Sequence, residues 1–110
     1  MNMKMIKAIV RPEKAEDILD SLMEKGFNAA TRMAVLGKGK QKGLKVGEIY
    51  YDELPKELIM IVVEDKDETV VTKIILDSAK TSKEGNYGDG KIFVSDVEKA
   101  VTISTGNIEL

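Results

Sequence analysis

"TRMAVLGKGKQKGLKVGEIYYDELPKELIMIVV", residues 31–63, decides how this chain folds. It opens in an alternating stretch, with Thr31, Met33 and Val35 set against Arg32 and Ala34, and it closes in an unbroken apolar run from Leu58 to Val63. The first reads as a strand by its period of two, the second as a central strand buried on both faces. No helical pattern separates them, so the two strands are hairpin neighbours. The excursion between them, Gly37 to Pro55, is far longer than the two to five residues of most hairpin loops, and long loops in compact domains are usually functional.

Outward from this stretch, the rest of the order follows. Met3 to Val10 reads as a strand with Ile6, Ala8 and Val10 on one face. Arg11-Pro12 opens a helix, because proline suits the first helical position, and Ala15, Ile18, Leu19, Leu22 and Met23 make its apolar stripe. Glu13, Glu16 and Asp17 favour its positive end, and Gly26 stops it in the left-handed cap position. Phe27, Ala29, Thr31, Met33 and Val35 then share one strand face, and Asn28, Ala30, Arg32 and Ala34 the other. Beyond Val63, Asp65 with Glu68 reads as a capping box for a second helix whose inner stripe is Val71, Ile74, Ile75, Ser78 and Ala79. A glycine-rich turn, 85–90, leads to a fourth strand at Ile92–Val94. Asp96 to Ala100 reads as a last helical turn and Val101 to Ile103 as a short final strand.

The order βαββαβ is satisfied by one sheet with two helices on one face, the α+β split βαβ or ferredoxin-like sandwich, here with a long loop between the second and third strands. The opposite face, carrying Met5, Lys7 and Ile9 with Ala30 and Ala34, is partly apolar, so further subunits are expected to pack there.

Composition narrows the function. The 110 residues fit a single domain, 1–110, and 43% of them are hydrophobic, enough for one core. Seventeen basic against nineteen acidic residues leave a formal charge of −2, which argues against a nucleic-acid binder. The chain has neither cysteine nor histidine. A disulfide framework, a thiolate or imidazole metal site and the commonest general base are thereby excluded. No apolar run reaches membrane-span length, and no signal-peptide pattern opens the chain, so a soluble cytoplasmic protein without membrane insertion is expected.

Two loops remain as carriers of chemistry. The first sets Lys38, Lys40, Lys42 and Lys45 among Gly37, Gly39 and Gly43, with the amide of Gln41 between them, a composition suited to phosphate or carboxylate. It equally fits a lysine-rich hairpin tip that binds nothing. The second, "GNYGDGK" at 85–91, can present successive N–H groups to an anion beside Lys91, or can simply be a tight turn. The end of the second strand and the start of the fourth reach the same sheet edge. In an oligomer, one subunit's first loop then meets a neighbour's second loop.

These residues resemble the nitrogen-regulatory PII signal-transduction family. The likeness runs through "AIVRPEK" at 8–14, "GKGKQKG" at 37–43, "DELPK" at 52–56, "GDGKIFV" at 88–94 and "STG" at 104–106. The stretch from Gly37 to Glu57 is most similar to the archaeal branch encoded with nitrogenase genes, as the first member of its pair. The resemblance implies a ferredoxin-like homotrimer whose long loop, the T-loop at about 37–55, touches target proteins. A second, glycine-rich nucleotide loop lies at about 81–91. It implies ATP or ADP in the clefts between subunits, with AMP as the alternative, and 2-oxoglutarate bound through Mg-ATP. By position, Ile9, Thr31, Gly37, Gly39, Lys40, Gln41 and Val62 line the nucleotide site, and Gly88, Asp89, Gly90 and Lys91 hold its phosphates. Gln41 contacts magnesium and 2-oxoglutarate, and Lys56 pairs with a 2-oxoglutarate carboxylate. Leu44, Val46, Ile49, Tyr50 and Tyr51 make the partner contact. The implied target is nitrogenase or another nitrogen-metabolism protein, with a second PII-like chain as a candidate for a mixed oligomer.

The chain departs from the family pattern in places. Lys40 stands where arginine is usual, and Thr102 and Ser104 occupy positions where two arginines usually neutralise phosphate. Lys83, in a lengthened second loop, is the nearest compensation. The alternatives are an adenylate sensor with another target, such as an ammonium transporter, a small phosphatase on the same fold, or a protein of the divalent-cation-tolerance type.

Overall fold

Alternation in the first ten residues is realised as β1, Met3–Val10, which puts Ile6, Ala8 and Val10 in full burial. The computed structural model describes residues 2–38, 44–46, 49–51 and 53–110. Pro12 starts α1, Pro12–Glu24, and Gly26 ends it at φ +87°, a left-handed value that glycine alone adopts without strain. β2 spans Ala30–Gly37. A separate antiparallel pair follows, β3 at Leu44–Val46 and β4 at Ile49–Tyr51. β5, Leu54–Glu64, is followed by a 3₁₀ turn at Asp65–Asp67, then α2 at Glu68–Ala79 and β6 at Gly90–Val97.

The main sheet has the order β2-β5-β1-β6, antiparallel throughout, with α1 and α2 together on one face: the ferredoxin-like α+β arrangement. Ala15, Ile18 and Leu22 of α1 and Val71, Ile75 and Ala79 of α2 meet Ile59, Ile61 and Val63 of β5 and the inward residues of β1. Each fully buried large aliphatic side chain contributes roughly 1.5–3 kcal/mol, so this stripe fixes how the helices dock. Met23, expected in the α1 stripe, is 61% exposed, since it lies beyond the sheet-facing arc.

Several expectations are corrected. β2 faces the other way: Thr31 pairs with Met60 and Met33 with Leu58, while Ala30 and Arg32 pair with the buried Ile61 and Ile59. Ala30, Arg32 and Ala34 therefore lie on the helix side. Phe27 packs against the core from the coil before the strand, and the strand begins only at Ala30. Arg32 is satisfied on that side by Glu16 of α1 at 2.9 Å and Glu57 of β5 at 3.2 Å. The apolar run of β5 is buried on one face of the chain only, because both helices lie on one side; Leu58, Met60 and Val62 are half-exposed.

No capping box forms at α2. Asp65 pairs instead with Lys4 at 3.7 Å and lies in the 3₁₀ turn, while Glu68 accepts from Thr72 at 3.3 Å. The last helical turn is absent as well. Asp96 continues β6 and pairs with Lys4, and the tail makes a small loop in which Val101 bridges to Ile108 in place of a strand at 101–103. Lys4 competes successfully for both carboxylates, which the local sequence does not reveal.

Among the described residues, no helix covers the second sheet face. Met5, Ile9, Leu58, Met60 and Val62 are half-exposed there, and Met33 and Phe93 are 53% and 51% exposed. This is the face on which packing was expected, with Met33 and Phe93 in place of Ala30 and Ala34.

Candidate functional site

β2 ends and β6 begins at one edge of the sheet, since the outer strands run in opposite directions. Four segments converge there: the start of α1, the end of β2, the start of β5 and the loop that follows α2. Two glycines there leave no room for a side chain without a shift of their neighbours. A Cβ on Gly37 would stand 3.0 Å from Lys56 Cγ, and one on Gly90, at φ +122°, would stand 1.9 Å from the Ile9 carbonyl oxygen. Gly85 and Gly88 also have positive φ, so the loop takes a path that side-chain-bearing residues avoid.

Asp89 organises that loop. Its carboxylate accepts from Arg11 Nε at 3.0 Å, from the Thr81 hydroxyl at 2.8 Å, from the Thr81 N–H at 3.3 Å and from the Asn86 N–H at 2.7 Å. Loss of water around Asp89 works to raise its pKa. The Asn86 N–H, the Thr81 hydroxyl, Arg11 and the Thr81 N–H outweigh that and hold it well below the usual carboxylate range. Arg11 also donates to the Tyr87 carbonyl at 2.9 Å, and Asn86 Nδ2 to the Thr81 and Ser82 hydroxyls at 2.7 and 3.2 Å.

Lys56 is the second cation at the edge. Its Nζ donates to the Gly88 carbonyl at 2.7 Å, so the root of the long loop and the glycine-rich loop touch within a single chain. Gly37, Lys56, Gly88, Asp89 and Gly90 are thus brought together. Ile9, Thr31, Val62 and Lys91 all fall on the open sheet face by register, but as a stripe: Ile9 sits opposite Lys91, whereas Val62 is opposite Met5, about 13 Å further along β1. Gly39, Lys40 and Gln41 lie outside the described residues. For Leu44, Val46, Ile49, Tyr50 and Tyr51 the backbone is described: Leu44 pairs with Tyr51, Lys45 with Tyr50 and Val46 with Ile49. Thr102 and Ser104 sit in the tail loop, where Gly106 N–H donates to the Thr102 carbonyl at 2.7 Å.

Sequence reasoning missed Arg11, Thr81 and Asn86. Arg11 was legible as the residue before a helix-starting proline, and nothing local announces a partner at position 89. A groove of about 360 Å³ between α2 and β6, lined by Thr72, Ile75, Leu76, Ile92 and Val94, reaches Asp89 and Lys91 from the helix side. Its walls are mainly apolar and the stripe of Ile9, Thr31 and Val62 lies on the opposite face, so the loop edge is the better candidate for an anion.

Comparison with known proteins gives the family. A model of the family "Nitrogen regulatory protein P-II" matches residues 3–107. A protein of Methanococcus maripaludis named nitrogen fixation nifHD region glnB-like protein 1 is 54% identical over 103 residues, covering 94% of this chain and 95% of its own. Its namesake in Methanothermococcus thermolithotrophicus is 55% identical over 104 residues, covering 94% and 96%. Nitrogen regulatory protein P-II 2 of Methanothermobacter thermautotrophicus is 44% identical over 108 residues, covering 94% and 91%.

Proposed function

The chain belongs to the nitrogen regulatory protein P-II family, in the branch associated with nitrogen-fixation regions, and from that premise we propose that it senses adenine nucleotide and 2-oxoglutarate and reports them through its long loop. As a regulatory protein of this family it is not an enzyme, which sets the phosphatase alternative aside. The names of its relatives support nitrogenase, or another protein of nitrogen metabolism, as the target.

One observation carries the reading: Lys56, at the root of the long loop, bonds to the Gly88 carbonyl of the glycine-rich loop. The two elements that the family resemblance makes the partner-contacting arm and the phosphate cradle are therefore in direct contact. The cradle fits an anion. Gly88 and Gly90, at positive φ, let the backbone approach a ligand closely, and Lys91 opposite Ile9 adds a point charge. Ile9, Thr31, Gly37 and Val62, with Gly39, Lys40 and Gln41, line the nucleotide, and Gly88 to Lys91 hold its phosphates. Magnesium enters on those phosphates, as it commonly does, with Gln41 completing its contact to 2-oxoglutarate. The uncovered sheet face is assigned to two further copies of the chain, giving a homotrimer with the nucleotide at the cleft.

The response is a population shift. The effector favours one conformation of the long loop and the target binds another, so the two compete to the extent of their differential affinities. Calorimetry with Mg-ATP present tests this. Lys56→Ala and Gln41→Ala are expected to lose the 2-oxoglutarate heat while retaining the nucleotide heat; unchanged 2-oxoglutarate binding in both variants would defeat the assignment. Titration of ATP, ADP and AMP in turn ranks the nucleotides, which matters because Thr102 and Ser104 leave the tail without cationic side chains at those positions.

A further inference from the structure

Asp89 poses a problem for any anion cradle, because a carboxylate stands in the middle of it. Its contacts resolve the problem. A carboxylate offers about four lone-pair directions, and four donors occupy them: one from the start of α1, two from Thr81 just after α2 and one from within the loop at Asn86. The side chain is only 15% exposed. Its charge is offset by Arg11, and its oxygens are turned to the interior of the loop. Beside it the backbone is held closely: the Gly88 carbonyl meets Lys56, and Gly90 packs so tightly on Ile9 that no side chain fits.

We propose that Asp89 is a positioning residue: with Arg11 and Thr81 it fixes the path of residues 81–90, so that the Gly88 amide stands ready for phosphate before ligand arrives. This rests on the nucleotide-sensing reading above and adds that the Asp89 carboxylate acts through the backbone of the loop without itself touching phosphate. Pre-organisation of this kind strengthens binding by removing the ordering cost from the association step.

The test joins two measurements on the whole protein: Mg-ATP calorimetry, and amide exchange of the ligand-free form. Asp89→Asn is expected to bind Mg-ATP roughly tenfold more weakly. In the ligand-free variant, the Thr81 and Asn86 amides should exchange faster while those of Ile6 and Ala8 in β1 keep their protection. Asp89→Glu, which keeps the charge, should recover part of the affinity. Arg11→Gln should weaken binding to a similar degree, and the double variant should lose little more than either single one, because the pair acts as a unit. If Asp89 faced the phosphates directly, removing its charge would tighten binding and leave loop exchange unchanged; that result overturns the proposal. If the wild-type protein binds no adenine nucleotide at all, the sensing reading fails. The exchange measurement then still decides whether Asp89 holds the loop, and unaltered Thr81 and Asn86 protection rejects it.

Discussion

The two loops at the sheet edge are built on opposite principles. The long one, between β2 and β5, carries its own hairpin, β3 with β4, as a sheet separate from the main one. An isolated two-stranded hairpin is marginally stable in water at best, and the β3–β4 pair gains no hydrogen bonds from the main sheet. The glycine-rich one has little regular structure, yet side chains from Arg11, Thr81, Asn86 and Asp89 determine its course bond by bond. Regular structure is therefore a poor guide to rigidity here. The loop without strands is the one held by side-chain hydrogen bonds, and the β3–β4 pair stands outside the main sheet. That division suits the sensing role proposed above, with the ligand side ready in advance.

The contrast can be broken most sharply at Gly90. An alanine there would place its Cβ 1.9 Å from the Ile9 carbonyl and force a side chain into φ +122°. Gly90→Ala is expected to cost about 3–5 kcal/mol by urea unfolding, through both strain and displacement of β6. A loss below 1 kcal/mol would show that the loop yields, and the contrast would go.

A smaller effect comes from acid. The folded pKa of Asp89 lies below its unfolded value of 3.8, so folding favours the charged form. Its contribution is complete above that value and is lost as pH falls from about 4 toward the folded pKa. Asp89→Asn should therefore cost about 1–3 kcal/mol at pH 7 and progressively less below pH 4. A gap that stays constant from pH 7 down to pH 2 would mean that the charge contributes nothing.

The smallest effect on stability is expected in the arm. Removing 44–51 should shift the unfolding free energy by no more than about 0.5 kcal/mol, because β3 and β4 form no part of the main sheet. The same deletion should spare nucleotide binding and abolish capture of the target in a pull-down. A large destabilisation would make the hairpin a structural element of the fold and erase the contrast.

The fold was readable because its determinants are periodic. Ile6, Ala8 and Val10, Ala15, Ile18 and Leu22, and Val71, Ile75 and Ala79 announce their buried faces at spacings of two, three and four. The failures share a cause as well. The facing of β2 depends on its register with β5, the entry into α2 on Lys4 taking Asp65 and Asp96, and the course of the glycine-rich loop on Arg11. Each is a pairing between residues distant in the chain, and periodicity carries no record of such pairings. The site was half legible for the same reason. Glycines and lysines mark an anion cradle by composition, whereas the carboxylate that shapes it reads locally as an ordinary Asp-Gly turn.

The sheet order has a consequence for biogenesis. β1 leaves the ribosome ahead of the other strands, yet its two neighbours are residues 57–64 and 90–97, so it waits unpaired through most of the chain's synthesis. Pairings of such high contact order close slowly, and the central strand can gain its second partner only once Val97 has emerged. Until then the nascent chain displays the edge of β1 that β6 will cover, so the sheet is completed late.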